Sequence, residues 1–383
     1  MPTSTMPQTM PSLANTTAVD YVVGEPTVPV LGEDAALDLN RSQLVKGDVV
    51  SGVVGIEELS VRQGVKGAWY LLKVANQTGR MEMKAWSEMA SAMEGFQTGD
   101  VVWVECLVGD GYPDRSSVGL TIQAIRKSDL SADVWDLMMP SYQGDVNALD
   151  ARYRRLTKGM RKPIMALVRA IWREVGFERW REAPGARGEG HHAYRHGLYE
   201  HSIEVAEIVA SYCDLPRYWG RVDREFAIMS ALLHDLGKVE EYAWHGGPIR
   251  RSGRGRLSYH TVMGARLIER VWAKNEARLA KQGVTVQLVD MFAHVCESHH
   301  REAEYGSPTA PLFVEAEMVA MADDSSAKIA SIDDATVRDV SADEEGFSSQ
   351  RIMFRPNGVF HTPDWRGSSD EADGPDDEPE IYF

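Results

Sequence analysis

The chain has 383 residues, of which 43% are apolar and 26% are charged, and its formal net charge is −16 at pH 7. This length exceeds that of one ordinary domain, so two domains are expected. The acidic balance argues against a protein that coats nucleic acid through a basic surface.

No run of residues approaches the roughly 18 consecutive apolar positions that a membrane span needs. The first residues, MPTSTMPQTM, lack the basic start and apolar stretch of a signal peptide. We therefore expect a soluble, cytoplasmic protein with no membrane partner. The scattered cysteines, Cys106, Cys213 and Cys296, have no C-x-x-C spacing, which indicates reduced core thiols and gives no sign of a thiolate zinc site.

The N-terminal part of the chain divides into an arm and a β-rich segment. Residues 1–43 are rich in Thr, Pro, Ser and Ala without periodicity, which predicts a disordered arm. Residues 44–127 contain five β-type runs, VVSGVVGI, AWYLLKV, RMEMKAW, DVVWVECLV and LTIQAI. This pattern predicts a small closed β-barrel of the OB type.

Two of these runs place aromatic and basic side chains together. The alternation in AWYLLKV and RMEMKAW puts Trp69 and Lys73 on one exposed face with Lys84 and Trp86. Ring planes beside ammonium groups are typical of surfaces that bind single-stranded nucleic acid. The alternative is that these side chains pack against the next domain.

The rest of the chain is predicted to be mainly helical. Residues 128–148 are interpreted as a linker, and from 149 to 335 the apolar residues recur three and four apart, as they do in helices. Within this domain ALLHDLGK predicts a helix that begins near Asp223 and ends at Gly237. That helix end presents His234 and Asp235 side by side, with Lys238 just beyond.

Five histidines and two aspartates in the helical domain lie on apolar helix faces, where a lone polar group is costly. Any one of them alone favours a hydrogen-bonded core residue. Together they favour metal ions, which accept neutral imidazole and ionised carboxylate and remove the cost of burying charge. Without thiolate ligands, the candidates are manganese, iron, cobalt and zinc. The seven residues are His201, His234, Asp235, His260, His299, His300 and Asp323.

The last of these ligands has an adjacent competitor. Asp323 and Asp324 cannot both lie on the apolar face of one helix. Helical spacing from Ala316 and Val319 selects Asp323.

The order of these residues resembles the ligand set of dinuclear phosphohydrolases of the HD superfamily. Longer stretches resemble the YhaM-type 3′-5′ exoribonucleases, in which an OB-fold precedes the HD domain. The resemblance covers roughly residues 44 to 363. It rests on GAWYLLKVANQTGRMEMKAW, HHAYRHGLYEHSIEVAEIV, SALLHDLGKVEEY, ESHHREAEYGSPTAPLFVEAEMVAMADDSSAKI and GFSSQRIMFRPNGVFHTP. Where that family carries a His-x-x-Asp-x-x-Asp pattern, this chain has Ala320, Asp323 and Ser326.

The resemblance implies a multidomain chain, an N-terminal OB-fold barrel followed by an all-α HD-type domain. It implies a metal-dependent 3′-5′ exonuclease that hydrolyses single-stranded RNA to nucleoside monophosphates with two divalent ions, manganese being the first expectation. Asp235 and Lys238 would be catalytic, and His192 and Arg195 would join Lys238 in contacting the strand. One ion would be held by His201, His234, Asp235 and Asp323, and the other by Asp235, His260, His299 and His300.

Alternatives remain at the level of the sequence. The same ions could serve a hydrolase of small or cyclic nucleotides, with the barrel as an oligomerisation or docking module. A non-catalytic nucleic-acid-binding accessory protein is a second alternative, and single-stranded DNA stays open as a substrate because nothing reads a 2′-hydroxyl. A homo-oligomer is left open as well.

The C-terminal residues divide into an extension, 336–365, and an acidic disordered tail, 366–383. Such a tail is usually a solubilising appendage. The alternatives are that it docks a protein partner or competes with nucleic acid.

Overall fold

A computed structural model describes residues 30–31, 34–39, 44–64, 67–110, 118–128, 138–188, 190–338, 346–347 and 358–360. These residues form a closed β-barrel followed by a helical domain, so the predicted fold class is confirmed.

Five strands close the barrel in the order β3-β4-β5-β7-β6, with β6 pairing back onto β3. All pairs are antiparallel except β5 and β7, which run parallel. This strand order is that of an OB-fold. The strands in the described ranges are β1 (Val30–Leu31), β2 (Asp34–Ala35), β3 (Val49–Gly64), β4 (Gly67–Asn76), β5 (Gly79–Ala85), β6 (Val101–Asp110), β7 (Val118–Lys127), β8 (Tyr242–Ala243) and β9 (Arg250–Arg251).

The barrel interior follows from alternation along the strands. Leu72 and Val74 of β4 pack with Met81 and Met83 of β5 in the core, and all four are buried. The intervening residues of both strands therefore point outward, as the pattern predicts.

The prediction of a disordered arm over residues 1–43 is wrong for residues 36–39, whereas residues 40–43 lie outside the described residues. Leu37 and Leu39 lie in the barrel core, and the Leu37 amide donates to the Val53 carbonyl at 3.2 Å. Gly52 makes this contact possible, because a Cβ there would lie 2.5 Å from the Leu37 nitrogen. Two leucines without helical or strand periodicity gave no local signal of this docking. Residues 1–29 lie outside the described residues.

Helices build the second domain around one apolar core that includes Trp180, Tyr199, Phe226 and Phe292. None of the helices in the described ranges is long and apolar enough to cross a membrane. In chain order the α-helices are α1 (Ala90–Met93, in the barrel), α2 (Val146–Thr157), α3 (Lys162–Val175), α4 (Phe177–Glu182), α5 (Gly197–Cys213), α6 (Arg224–Leu233), α7 (Lys238–Glu241), α8 (Gly253–Leu257), α9 (His260–Ala280), α10 (Val286–Ser298) and α11 (Val314–Arg338). Short 3₁₀ turns lie at Ser87–Met89, Pro216–Tyr218 and Ala303–Tyr305.

The helical domain differs from the prediction at two points. It contains one short two-stranded hairpin, β8 with β9, beside its helices. The helix predicted from Asp223 to Gly237 does begin at an Asp223 N-cap but ends at Leu233, with His234 as its C-cap. Tight turns then follow, in which the Leu236 amide donates to the Leu233 carbonyl at 3.0 Å.

The barrel contacts the helical domain directly. Arg80, on the outer face of β5, donates from Nη1 to the Ala193 carbonyl at 2.6 Å, and Gln143 Nε2 donates to the Gln77 carbonyl at 3.1 Å. Met138, in the predicted linker, packs with barrel residues. The start of β5 therefore meets the loop that precedes α5.

Beyond α11 the structure describes only residues 346–347 and 358–360. Phe347 and Phe360 form an isolated antiparallel bridge, with ring centroids 5.3 Å apart. The predicted acidic tail, residues 366–383, lies outside the described residues.

Candidate metal centre

The seven histidines and aspartates predicted as ligands converge on one buried region between α5, α6, α9, α10 and α11. Groups of three ligand atoms within 4.8 Å of one another include His201 with His234 and Asp323, and His260 with His299 and His300. In the sequence these residues are spread over more than 120 positions.

The turn after α6 brings the central aspartate into this region. Gly237 lies so close to the first residue of α9 that a Cβ would be 2.0 Å from the His260 carbonyl oxygen. Only glycine allows this approach, which places Asp235 against His260. Asp235 itself is 1% exposed.

Asp235 faces two sets of imidazoles with its two oxygens. Oδ2 lies 3.3 Å from His234 Nε2 and 3.5 Å from His201 Nε2. Oδ1 lies 3.2 Å from His260 Nε2 and 3.6 Å from His299 Nε2. One carboxylate thus stands between two groups of nitrogen donors.

Asp323 completes the cluster from α11. Its Oδ1 is 3.0 Å from His201 Nε2 and its Oδ2 is 3.9 Å from His300 Nε2. Asp324 instead points outward and pairs with Lys328 at 2.7 Å. The structure therefore places Asp323 in the cluster and Asp324 outside it.

Hydrogen bonds at Nδ1, on the side of the ring away from the cluster, orient four of the histidines. In His234, His299 and His300 the Nδ1–H donates to a backbone carbonyl at 2.7–2.8 Å. His260 Nδ1 is 2.6 Å from a carboxylate oxygen of Glu241, a fully buried residue. A carbonyl can only accept, so the proton sits on Nδ1 and the Nε2 lone pair faces the cluster, which is the tautomer that binds metal.

The free ends of these rings fit a metal centre. The Nε2 atoms of His201, His234, His260 and His299 are buried, and none has a hydrogen-bond partner among the described residues. Nitrogen and carboxylate donors left facing one another in this way suit borderline or hard divalent ions. The cluster can therefore hold metal.

The pKa values of three histidines and of Asp235 agree with that fit. Burial lowers the pKa of His201 and His300, and lowers that of His299 well below its usual range, so these rings are neutral. For Asp235, burial raises the pKa, but the charges of Lys238 and His234 outweigh it and hold the pKa well below its usual range. Neutral imidazoles and an ionised carboxylate are the forms that bind metal. His234 is the exception: burial lowers its pKa, but the Asp235 and Asp323 charges outweigh burial and raise it to about 10, so an ion bound there displaces its proton.

The residues expected to contact the strand differ in their placement. Lys238 Nζ lies 2.6 Å from Asp235 Oδ2, inside the cluster. His192 is buried beside it, with Nε2 3.3 Å from Glu204 Oε2. Arg195 is not brought to the cluster, because its guanidinium pairs with Glu182 at 2.8 Å.

Sequence reasoning missed several residues that support the centre. His191 lies with its ring centroid 5.9 Å from that of His201. Burial, reinforced by the Lys238 charge, lowers the pKa of His191 to about 3. Because His192 is predicted to contact the strand, the adjacent pair of histidines was the signal that could have found His191. Glu241 could have been found in a similar way, because it lies three residues after Lys238 in the stretch SALLHDLGKVEEY.

The barrel face predicted to bind nucleic acid is assembled in the structure. Trp69 and Trp86 lie across β4 and the end of β5 with ring centroids 5.7 Å apart, and Trp86 is 47% exposed. On the same face, Lys84 is opposite Leu71, and Lys73 Nζ is 3.9 Å from Glu58 Oε2. Burial lowers the pKa of Lys84, outweighing the nearby Glu82 and Asp110 charges.

Residues 198–335 match the family model described as the HD domain. The 3′-5′ exoribonuclease YhaM of Bacillus subtilis (strain 168) is 25% identical over 297 residues, covering 76% of this chain and 87% of that protein. YhaM of Shouchella clausii (strain KSM-K16) is 26% identical over 322 residues, covering 83% and 94%.

Among solved structures, the second OB-fold domain of replication protein A from Methanococcus maripaludis is 19% identical, covering 24% of this chain and 93% of that chain, with a TM-score of 0.20. The chain thus joins an OB-type barrel to the HD domain of metal-dependent hydrolases, and over most of its length it is similar to the YhaM-type 3′-5′ exoribonucleases.

Proposed function

We propose that the chain is a metal-dependent 3′-5′ exonuclease that hydrolyses single-stranded RNA to nucleoside monophosphates. The observation that carries this proposal is the position of Asp235, whose oxygens face two separate groups of imidazoles. A carboxylate so placed suits a centre of two ions. The 3′ polarity and the choice of RNA come from the names of the relatives in Bacillus subtilis and Shouchella clausii.

The ligands divide into two sets that share Asp235. Two divalent ions, for which we propose manganese, would supply Lewis acidity toward the phosphate and lower the pKa of an attacking water. The first set is His201, His234, Asp235 and Asp323, and the second is Asp235, His260, His299 and His300.

Lys238 is the residue placed to meet the substrate phosphate. Although burial lowers its pKa, the Asp235 charge outweighs that effect and raises it, so the ammonium group stays charged. With Nζ 2.6 Å from Asp235 Oδ2, it can donate to a phosphate oxygen beside the Asp235 carboxylate. We assign a second contact to His191, because Glu204 engages His192 and Glu182 engages Arg195.

The barrel provides the approach for a strand. Trp86, Lys84 and Arg80 lie on the outward side of β5 and its end, and Arg80 reaches the residue that follows His192. At about 3.3 Å per residue, the six positions from Trp86 to Arg80 span about 20 Å. Bases stacked on Trp69 and Trp86 would leave the strand's 3′ end running toward the metal centre.

Digestion of matched RNA and DNA oligomers with manganese present tests the proposal. With a 5′ label we expect products that are shortened progressively from the 3′ end. With a 3′ label we expect immediate release of a labelled monophosphate. The Asp235→Asn variant should give neither product. Equal rates of hydrolysis on DNA would widen the substrate to both single-stranded RNA and single-stranded DNA. Cleavage of small or cyclic nucleotides alone would favour the small-nucleotide hydrolase, and binding without cleavage under every divalent ion would favour the accessory protein.

A further inference from the structure

His201 differs from the other histidines of the cluster in the group that holds its Nδ1. That nitrogen lies 3.2 Å from the Ser326 hydroxyl, whereas the others meet carbonyl or carboxylate oxygens. A hydroxyl can donate or accept, so by itself it does not decide which nitrogen of His201 carries the proton. His201 binds metal through Nε2 only if that proton is on Nδ1.

Glu204 resolves this ambiguity. The Ser326 hydroxyl donates to Glu204 Oε2 at 3.0 Å, and an ionised carboxylate can only accept. The Ser326 proton is thereby committed to Glu204, which leaves an oxygen lone pair for His201. Nδ1–H of His201 must then donate to Ser326, and the Nε2 lone pair faces Asp235 and Asp323.

The same two helices supply both the ligands and this support. His201 and Glu204 are three residues apart on α5, and Asp323 and Ser326 are three apart on α11, so each pair shares a helix face. His192, 4% exposed, lies against the same Glu204 oxygen, with its Nε2 3.3 Å from Oε2. His201 and Ser326 are buried as well, so water does not replace the bond between them.

We propose that Ser326 and Glu204 are positioning residues that set the tautomer of His201 and thereby the affinity of one of the two ions. This rests on the metal centre of the proposed function. His192, His201 and Glu204 also lie close enough together to hold an ion of their own, and the test below includes that outcome.

Manganese binding to the purified full chain is measured by titration, together with the manganese concentration that gives half-maximal hydrolysis. Wild type should bind two ions. Ser326→Ala should weaken one of them by about 10- to 100-fold, as loss of a group behind a ligand does, and leave the other within about 3-fold. Ser325→Ala is the matched control, because its hydroxyl donates to the Met321 carbonyl on the exposed side of the same helix.

A second pair of variants separates positioning from packing. Glu204→Gln should weaken the same ion, because an amide no longer fixes the direction of the Ser326 proton. It should have no further effect in the Ser326→Ala background, since Glu204 acts through Ser326. Combining Ser326→Asp with Glu204→Gln should restore affinity, because the new carboxylate accepts from His201 Nδ1 directly and from the glutamine amide.

Two normal ions in Ser326→Ala would overturn the inference while leaving the proposed function standing, and so would an equal loss in Ser325→Ala. A third ion lost on Glu204→Gln would show a metal site in place of a positioning pair. No ion in wild type would instead overturn the proposed function itself. Melting curves in chelator identify unfolded variants, and the Ser326→Asp combination decides the question if Ser326→Ala is one of them.

Discussion

Removing the exposed tryptophan of the barrel should weaken the use of a long strand without harming the chemistry. Trp86 is 47% exposed and lies 5.7 Å from Trp69, so its ring is open to a base while contributing little to the barrel core. A base stacked on an aromatic ring contributes about 1–3 kcal/mol. Trp86→Ala should therefore raise the Michaelis constant for an RNA oligomer by about 5- to 140-fold.

The turnover number should stay near that of wild type, because a contact far from the metals stabilises substrate and transition state alike. Steady-state kinetics on an oligomer and on a small chromogenic phosphodiester measure the two effects separately, and the small substrate should show no change. Trp219→Ala is the control, since Trp219 is 62% exposed on the helical domain. A normal Michaelis constant for the oligomer, or an equal change in Trp219→Ala, would refute a strand-binding role for this face. A point substitution is preferable to deleting the barrel, because Arg80 holds the loop beside the metal centre.

Three further predictions concern the centre and its framework. Asp235→Asn should lower the rate of hydrolysis by about 100-fold or more without changing the circular dichroism spectrum, since several kcal/mol of charge stabilisation is lost. Activity equal to that of wild type would mean that Asp235 holds no ion. Asp323→Ala should abolish activity and Asp324→Ala should keep most of it, and the reverse order in the same assay would contradict the placement of α11. Gly237→Ala should lower the free energy of unfolding by about 3 kcal/mol in urea titrations, because its Cβ would meet backbone. Gly253→Ala should leave the free energy of unfolding nearly unchanged, because nothing lies within 4 Å of the added Cβ.

Sequence patterns predicted what is repeated or chemically unusual in this chain. Alternation identified the barrel strands and the shared face of Trp69 and Trp86. Polar residues on apolar helix stripes identified the histidine and aspartate cluster, because each is costly to bury alone. Asp323 was selected over Asp324 by spacing alone, and the structure places it in the cluster.

What the patterns missed depends on contacts between distant segments. Leu37 docks into the barrel against Val53, and no local period marks it. The end of α6 at Leu233 is set by the packing of Gly237 on α9, which an isolated helical pattern cannot show. The sequence marked Ser326 only as a departure from the family pattern, because its partner Glu204 is 122 positions away.

The contact between Arg80 and Ala193 bears on how a strand would be consumed. Because β5 runs for about 20 Å from the tryptophan pair to Arg80, which contacts the loop beside the metal centre, the strand is held and cleaved at separate places. A strand held at the tryptophans stays at high effective concentration near the ions after each mononucleotide leaves. We expect processive degradation of long RNA, visible as the disappearance of full-length strand without intermediate lengths. Once the remaining piece is too short to reach the tryptophans it should dissociate, so short oligomers should accumulate as end products.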